Sequence, residues 1–519
     1  MKKIVFLLAL AVAGGVEISA QNQGTACGTS FQDQALFEDR LLKNIERVES
    51  GQGVSDRGAI QYVPVHFHLV GDANGNGKVK EFKVLDQLCA LNAAYAPMDI
   101  RFYLSPHPVN NTLFNYAINS ANVYTNQTSW FTMDVNRHPN ALNIYVVDQA
   151  ATTNNNPPGV LTLAYYSPTR DWVVSRKDQI NGQTNNSTLP HEVGHFFSLQ
   201  HTFYGWESDS FDATDTGWPK APTTSPDGVP TERMNGTNCN TAGDKICDTP
   251  PDYNFGLISS TCTYSDGAQD PNGTLVDPQE NNMMGYFESC ASYSFSQSQQ
   301  NAVLADRASV YRNYLDNNFS PAATDITVPT DLLVAPASAQ VVPYYDEVTV
   351  EWKAVPGATY YLLELDIVNA YSTPYSQAFV VKNATSKLLT TLLPNRTYYW
   401  RVRPFNEYYT CTESRQRTFK TTSTSAVRDI AGLSAWQISP NPLRNGASAT
   451  VLVHAEKGFD AALRVYDLAG RMLFQQVETA FAAGETAFEL PLSGLENGMY
   501  FVVLQNKEGQ SVRKLSILR

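Results

Sequence analysis

The chain has 519 residues, 43% of them hydrophobic and 17% charged, with a formal net charge of −13. That length exceeds what one hydrophobic core supports and predicts three or four domains. The acidic balance, with no basic patch in view, excludes nucleic acid as a partner.

Residues 1–20 open with Lys2 and Lys3, continue with the apolar run Ile4 to Val12 and close on small residues up to Ala20. This is the pattern of a signal peptide, too short to span a bilayer. No later apolar run reaches about 18 residues. The expectation is an exported chain without a transmembrane segment, whose cysteines meet an oxidising compartment. Residues 21–57 read as a pro-segment, with a helix over Gln34 to Val48 and a Gly/Ser/Asp-rich linker at Glu49 to Gly58.

From residue 58 to 318 strands and helices alternate, the pattern of an α/β layered domain. Strands are predicted at Tyr62 to Val70, Ile100 to Leu104, Leu142 to Val147, Val160 to Tyr166 and Trp172 to Ser175. Helices are predicted at Phe82 to Ala96, Thr188 to Leu199 and Ser296 to Tyr314. Between Asp209 and Glu280 the sequence is rich in Asp, Pro, Gly, Thr and Asn and shows little periodicity. Such a stretch needs disulfides or ions to hold it, and Cys239, Cys247 and Cys262 lie inside it, with Cys290 just beyond. Four cysteines allow three pairings, and spacing does not choose among them. Cys89, on an apolar helix face, reads as a buried free thiol, and Cys411 has no partner in its own domain. Residues 327–422 carry short strands spaced by turn residues, as in a β-sandwich. A Ser/Thr linker leads to a second small β domain at 435–519.

The chemistry concentrates in His191-Glu192-Val193-Gly194-His195, followed by His201. Residues four apart on a helix share one face, so two imidazoles so spaced can hold one Zn²⁺ at about 2.0–2.1 Å. Glu192, beside the first ligand, is positioned to hold the activated water and take its proton. A continuing helix would carry His201 about 15 Å past His191, so the chain must turn sharply after His195. The bland alternative is a helix with two core or surface histidines. Two weaker signals are discounted. The run Asp72 to Gly77 starts like an EF-hand loop, but its twelfth position is Lys83 instead of Glu. His66 and His68 share one strand face and read as a polar face in preference to a second metal site.

This arrangement resembles the metzincins, whose long motif has Gly three residues after the second histidine; here that position is Ser198. A left-handed non-Gly residue costs on the order of 1–2 kcal/mol. Asn282-Met283-Met284-Gly285-Tyr286 is similar to the metzincin Met-turn. The resemblance implies Met284 as the base of the site and Tyr286 as a donor to the oxyanion. Within the metzincins the chain looks like the pappalysin family, in its bacterial branch, over roughly residues 24 to 315. The carrying motifs are His201-Thr202-Phe203, Gly243-Asp244-Lys245-Ile246-Cys247-Asp248-Thr249-Pro250 and Cys27-Gly28-Thr29. That resemblance implies a twisted mixed sheet, an active-site helix and an irregular disulfide-stapled lower part. It further implies Cys239–Cys262 and Cys247–Cys290 pairing, a structural Ca²⁺ near Asp244 and Thr249, and Cys27 as a cysteine switch. A pro-segment thiolate taking the fourth zinc position would keep the enzyme latent.

Metzincins bind extended peptides along an edge strand, for which Val160 to Tyr166 is the candidate, with Glu288 near the pocket past the scissile bond. Residues 327–422, through Trp352 and the run Tyr398 to Val402, resemble a fibronectin type III domain. The tail is similar to the type IX secretion sorting domain. The matching pieces are Ser439-Pro440-Asn441-Pro442, the run Val465 to Arg471, Leu495-Glu496-Asn497-Gly498-Met499-Tyr500 and Lys514-Leu515. The expectation is a secreted zinc endopeptidase acting on proteins or peptides, on or outside a bacterial outer membrane. Two alternatives stand beside it. In one, Glu207 or Glu232 supplies the third ligand of another zinc-peptidase class; in the other, the chain is a non-catalytic adhesin.

Overall fold

The computed structural model describes residues 25–51, 59–150, 161–214, 219–259, 261–425, 430–444, 448–506 and 509–518. The expected signal peptide and most of the 49–58 linker lie outside the described residues. Among the described residues no helix is long and apolar enough to cross a membrane. The chain divides into two compact units. One holds residues 1–329 with 355–362 and 403–414, the other 330–354, 363–402 and 415–519.

The first unit is built on a mixed sheet of β1 (Thr25–Cys27), β2 (Gln61–Leu69), β3 (Ile100–Leu104), β4 (Phe114–Asn115), β5 (Leu142–Val147), β6 (Leu161–Ser167) and β7 (Trp172–Arg176). The order is β1-β6-β7-β5-β2-β3, with β4 also on β2. Strand β2 is parallel to both neighbours and buried from Val63 to Leu69. That explains its near-continuous apolar run, since a parallel strand is covered on both faces. β6 runs antiparallel to β7, and its outer edge carries β1 in parallel register, Cys27 opposite Ala164. Val160 is outside the described residues, and the rest of the expected edge strand is β6. In this chain that edge is already occupied.

The helices are α1 (Phe31–Glu49), α2 (Glu81–Tyr95), α3 (Ala121–Thr125), α4 (Trp130–Val135), α5 (Thr188–Phe196), α6 (Phe255–Ile258) and α7 (Gln297–Arg307). α1 starts at a capping box in which Ser30 and Asp33 satisfy each other's backbone, two of the orphan donors of a helix N-terminus. The predicted last helix, Ser296 to Tyr314, is two pieces. α7 ends at Arg307, Ser309 is extended, and Val310–Leu315 is a 3₁₀ helix. The break turns Arg312 inward, fully buried between Asp171 and Asp306.

The irregular stretch has its own aromatic core of Phe203, Trp206, Phe211, Tyr253, Phe255 and Phe287. It is stapled by Cys239–Cys247 and Cys262–Cys290, which corrects the expected Cys239–Cys262 and Cys247–Cys290 pairing. Consecutive turns at 238–241 and 242–245 fold the chain back on itself. They bring the Cα atoms of Cys239 and Cys247 to 5.0 Å, within disulfide range. Cys89 is likewise no free thiol: it is bonded to Cys411, 322 residues away. Around that bond Arg403 pairs with Asp86, and Thr410 Oγ1 donates to the Leu85 carbonyl at 2.9 Å.

His66 and His68 lie on a face that is buried instead of exposed. They meet His107 and His138, with ring centroids 5.1 to 5.6 Å apart. Burial lowers the His66 pKa to about 3. A buried neutral base stabilises the fold fully above its unfolded pKa of about 6.5, and that contribution fades as pH falls toward the folded value. His66 alone should therefore withdraw about 2 kcal/mol by pH 5. Denaturant titrations at pH 7 and pH 5 should show that loss reduced in His66→Gln, and an equal loss in both proteins would remove the assignment.

The 333–421 region forms two sheets. Ser386–Leu389, Val348–Trp352 and Leu333–Ala335 make one; Gln377–Lys382, Tyr360–Asp366, Thr397–Phe405, Arg415–Thr421 and Gln340–Val342 the other. Residues from 433 onward make another pair of antiparallel sheets, of three and four strands, around Trp436, Leu443, Val451, Val465, Val502 and Leu515. The alternating burial of Ser448–Ala455 is what a strand with one face in a sandwich core requires.

Candidate metal centre

α5 is buried from Leu189 to Phe196. Pro190 falls in its first turn, where the missing N–H has no helical partner to lose. His191 and His195, one turn apart, point the same way, their ring centroids 4.8 Å apart. The helix then stops. Leu199 N–H donates to the Gly194 carbonyl at 3.0 Å and Ser198 N–H to the His195 carbonyl at 2.8 Å. This is a Schellman ending with Ser198 at the left-handed position, φ 65°. Ser198 offsets the strain with its hydroxyl, which donates to Asp306 Oδ1 at 3.1 Å and accepts from Asn44 Nδ2 at 3.1 Å. Ser198→Ala keeps the strain and strands the hydroxyl's partners, so it should lower stability by about 1–3 kcal/mol. Ser198→Gly relieves φ and should cost less. Thermal melts of the two variants check the order, and a glycine variant weaker than alanine would contradict it.

The turn returns His201 to the other two. His195 Nε2 and His201 Nε2 are 3.1 Å apart. Each ring is held from behind. His191 Nδ1 donates to the Met283 carbonyl at 2.8 Å and His195 Nδ1 to the Leu199 carbonyl at 2.7 Å. His201 Nδ1 faces Glu207 Oε1 at 3.1 Å. Such outer partners fix the tautomer and turn the other nitrogen toward a metal. Burial keeps all three rings neutral, His191 down to about 4 and the other two well below the usual value. Neutral imidazole is the ligating form.

Under α5, Asn282 and Gln299 exchange side-chain amide bonds and Asn282 Oδ1 accepts Met284 N–H at 2.9 Å, closing a tight turn. Met284 is buried against Gly194, where a Cβ would overlap its sulfur. The Met283 carbonyl of the same turn is the His191 partner, so one turn supports both Gly194 and the His191 ring.

Cys27 enters from β1. Among the described residues, Cys27, His191, His195 and His201 form one group whose ligand atoms all lie within 4.8 Å of one another. Thr29 N–H donates to Cys27 Sγ at 3.2 Å, and Thr29 Oγ1 donates to Glu192 Oε2 at 3.1 Å. His191 Nε2 and Glu192 Oε1 are buried with no hydrogen-bond partner. Three neutral nitrogens and a thiol around one point, with His191 Nε2 orphaned among them, fit a tetrahedral zinc ion. Burial raises the Glu192 pKa to about 8. Burial, and then the Glu192 charge, pushes the Cys27 thiol well above its ordinary value. Tyr286 OH donates to the Cys27 carbonyl at 3.1 Å and lies 3.4 Å from His201 Nε2.

Residues 437–518 match the secretion system C-terminal sorting domain. An extracellular metalloprotease of Colletotrichum graminicola is 23% identical over 310 residues, covering 56% of this chain and 92% of its own. One from Neurospora crassa is 27% identical, covering 44% and 81%, and a further one from Colletotrichum graminicola is 29% identical, covering 39% and 72%. The chain is a distant relative of extracellular metalloproteases. With a type IX sorting domain and extracellular relatives, it is a secreted or cell-surface protein. Two solved structures, a biofilm-associated protein domain and chicken CNTN1 FN1–FN3 domains, match at TM-scores of only 0.14 and 0.15 and 16% and 12% identity. Each match covers 36% of this chain, and 30% and 66% of theirs.

A cavity of about 320 Å³ opens beside the centre, lined by Cys27, His191, Glu192, Tyr286, Tyr293 and, at its exposed rim, Glu288. Asp244 and Thr249 lie elsewhere in the irregular region. Both Asp244 oxygens accept from Thr249 Oγ1, at 2.9 and 3.0 Å. Glu232 packs against Gly243; burial and then the Asp244 charge raise its carboxyl, and burial, with the Asp248 charge, raises that of Asp244. The Asp72 run is a turn, its Oδ1 accepting from Asn74 and Asn76 N–H, with Lys78 Nζ on the Gly75 carbonyl. Sequence reasoning weighed Glu207 only as a rival ligand and passed over Gln34 and Gly194. Gly194, inside the quoted motif, carried a signal: a glycine in mid-helix marks a close approach.

Proposed function

We propose that this chain is a secreted zinc endopeptidase of the pappalysin branch of the metzincins, made as a latent zymogen. The observation that carries the reading is the convergence of Cys27, His191, His195 and His201 within 4.8 Å, beside the Glu192 carboxylate. The proposed organisation is a signal peptide at 1–20, a pro-segment at 21–57 and a protease domain at 58–318. A fibronectin type III-like sandwich at 327–422 and a type IX sorting domain at 435–519 follow, the last engaging the secretion machinery.

Zinc, when bound, supplies the Lewis acidity that polarises the scissile carbonyl and activates water. Once the pro-segment leaves, the freed edge of β6 pairs with the backbone of an extended peptide. Glu192 takes the proton of the attacking water and passes it to the departing amine. Tyr286, released from the Cys27 carbonyl, turns its hydroxyl to the carbonyl oxygen as that oxygen gains charge. Met284 fixes the height of α5. Glu288, at the rim of the cavity, would favour a basic side chain just past the scissile bond. The Glu232–Asp244 pair with Thr249 is the proposed calcium site, where a hard cation would relieve two crowded carboxylates.

The test is removal of the metal. Processed chain should hydrolyse unfolded protein, lose that activity to a zinc chelator and regain it with stoichiometric Zn²⁺. Activity indifferent to chelation would end the reading, as would uptake of no zinc.

A further inference from the structure

The buried stripe of α1 is Gln34, Phe37, Leu41 and Asn44, spaced three and four apart as a core-facing helix requires. Two of its four positions are amides, and both are buried, Gln34 at 0% and Asn44 at 2% exposure. Amides on a core face need partners, and here both amides reach one short segment of chain, 196–201, which carries the third histidine. Arg40 Nη2 donates to the Phe196 carbonyl at 3.3 Å. Asn44 Nδ2 donates to Ser198 Oγ at 3.1 Å and to Asp306 Oδ1 at 2.9 Å. Glu38 accepts from Gln200 Nε2 at 3.3 Å. Gln34 Oε1 accepts the His201 backbone N–H at 2.8 Å. Gln34 Nε2 donates to Glu207 Oε1 at 2.8 Å and to the Thr29 carbonyl at 3.4 Å, and lies 2.8 Å from His201 Nδ1. α1 thus grips residues 196, 198, 200 and 201 of the turn and, through Glu207, the back of the His201 ring.

We infer that α1 is a template for the third-ligand turn: Gln34 and Asn44 are positioning residues that hold His201 and Ser198 in place, so the pro-segment tightens the metal site as well as covering it. The inference rests on the zinc-centre reading above. Its physical basis is that a ligand projecting from a loop binds as well as its loop is held. Outer partners of metal ligands typically contribute about 10–100-fold in affinity. The left-handed Ser198 gives this loop strain to release. In the latent chain Asp306 receives Asn44, Arg40 and Ser198 on Oδ1 and Arg312 on Oδ2. Departure of α1 leaves Ser198 and Arg312.

The experiment measures zinc release to a chromogenic chelator from the full-length chain, in a Glu192→Ala background that keeps it uncut. Gln34→Ala and Asn44→Ala should each speed release about 10-fold or more. Gln34→Met fills the same volume without the amide; it should do the same and serves where the alanine variant is too unstable. Arg47→Ala is the control. Arg47 ties α1 to the Ala305 carbonyl at 3.1 Å without touching 196–201, and its loss should leave the release rate unchanged. Hydrogen exchange gives an independent readout, because the His201 amide should exchange faster in both Gln34 variants. Rates unmoved by the Gln34 and Asn44 changes, or moved equally by Arg47→Ala, would overturn the inference while leaving the zinc reading intact. A full-length chain that takes up no zinc would overturn both.

Discussion

Replacing Glu192 with alanine, in chain whose pro-segment is removed by an added protease, is expected to lower kcat by about 10³-fold while zinc content stays stoichiometric. The separation is the informative part. Glu192 stands outside the ligand group: its Oε2 is held by Thr29 and its Oε1 has no partner. Its removal therefore deletes a proton carrier and leaves three neutral imidazoles with their carbonyl and carboxylate supports. Peptide kinetics with metal analysis on the same sample check this. Retained activity would remove Glu192 as the proton carrier; lost zinc would make Glu192 a ligand instead of a base.

Cys27→Ala is the second large expectation. The full-length chain should show peptidase activity before any cleavage, and its activation lag should shorten. If the thiol contributes about 3 kcal/mol to holding the pro-segment, its loss raises the open fraction about 100-fold. Latency should not vanish entirely. β1 would still pair with β6, Tyr286 would still donate to the residue-27 carbonyl, and α1 would still lie over the turn. A fluorogenic peptide assayed against the uncut mutant measures the effect, and latency equal to that of the parent would leave Cys27 a mere neighbour of the centre.

How much of this was legible depended on how local each signal was. The strands Ile100–Leu104 and Leu142–Val147 appear at their expected limits, because burial on one or two faces writes a period into adjacent residues. The histidine face of α5 is equally local, one turn of helix. The Ser198 turn was legible as a problem but not as a solution, since its answer lies in Asp306 and Asn44, far away in sequence. The cysteines failed for the same reason. An apolar helix face around Cys89 looks like core whether or not Cys411 arrives, and only the backbone path decides that Cys247 meets Cys239. Gln34 and Asn44 were hidden by their setting: amides in a polar pro-segment look solvated until the helix is laid against a buried surface. His107 and His138, from loops, gave no hint that they would join His66.

The Cys89–Cys411 bond changes what a cut in the chain means. Residues 403–414 belong with the first compact unit and are sewn to α2. A backbone nick in the 316–330 stretch would therefore leave two fragments on a reducing gel and a single molecule on a non-reducing one. A secreted protease lives among its own kind, and its exposed connectors are the first to be clipped. For this chain such wear between the first unit and the strands that follow would not detach the downstream half, sorting tail included. Location would outlast an intact backbone for as long as the surroundings stay oxidising.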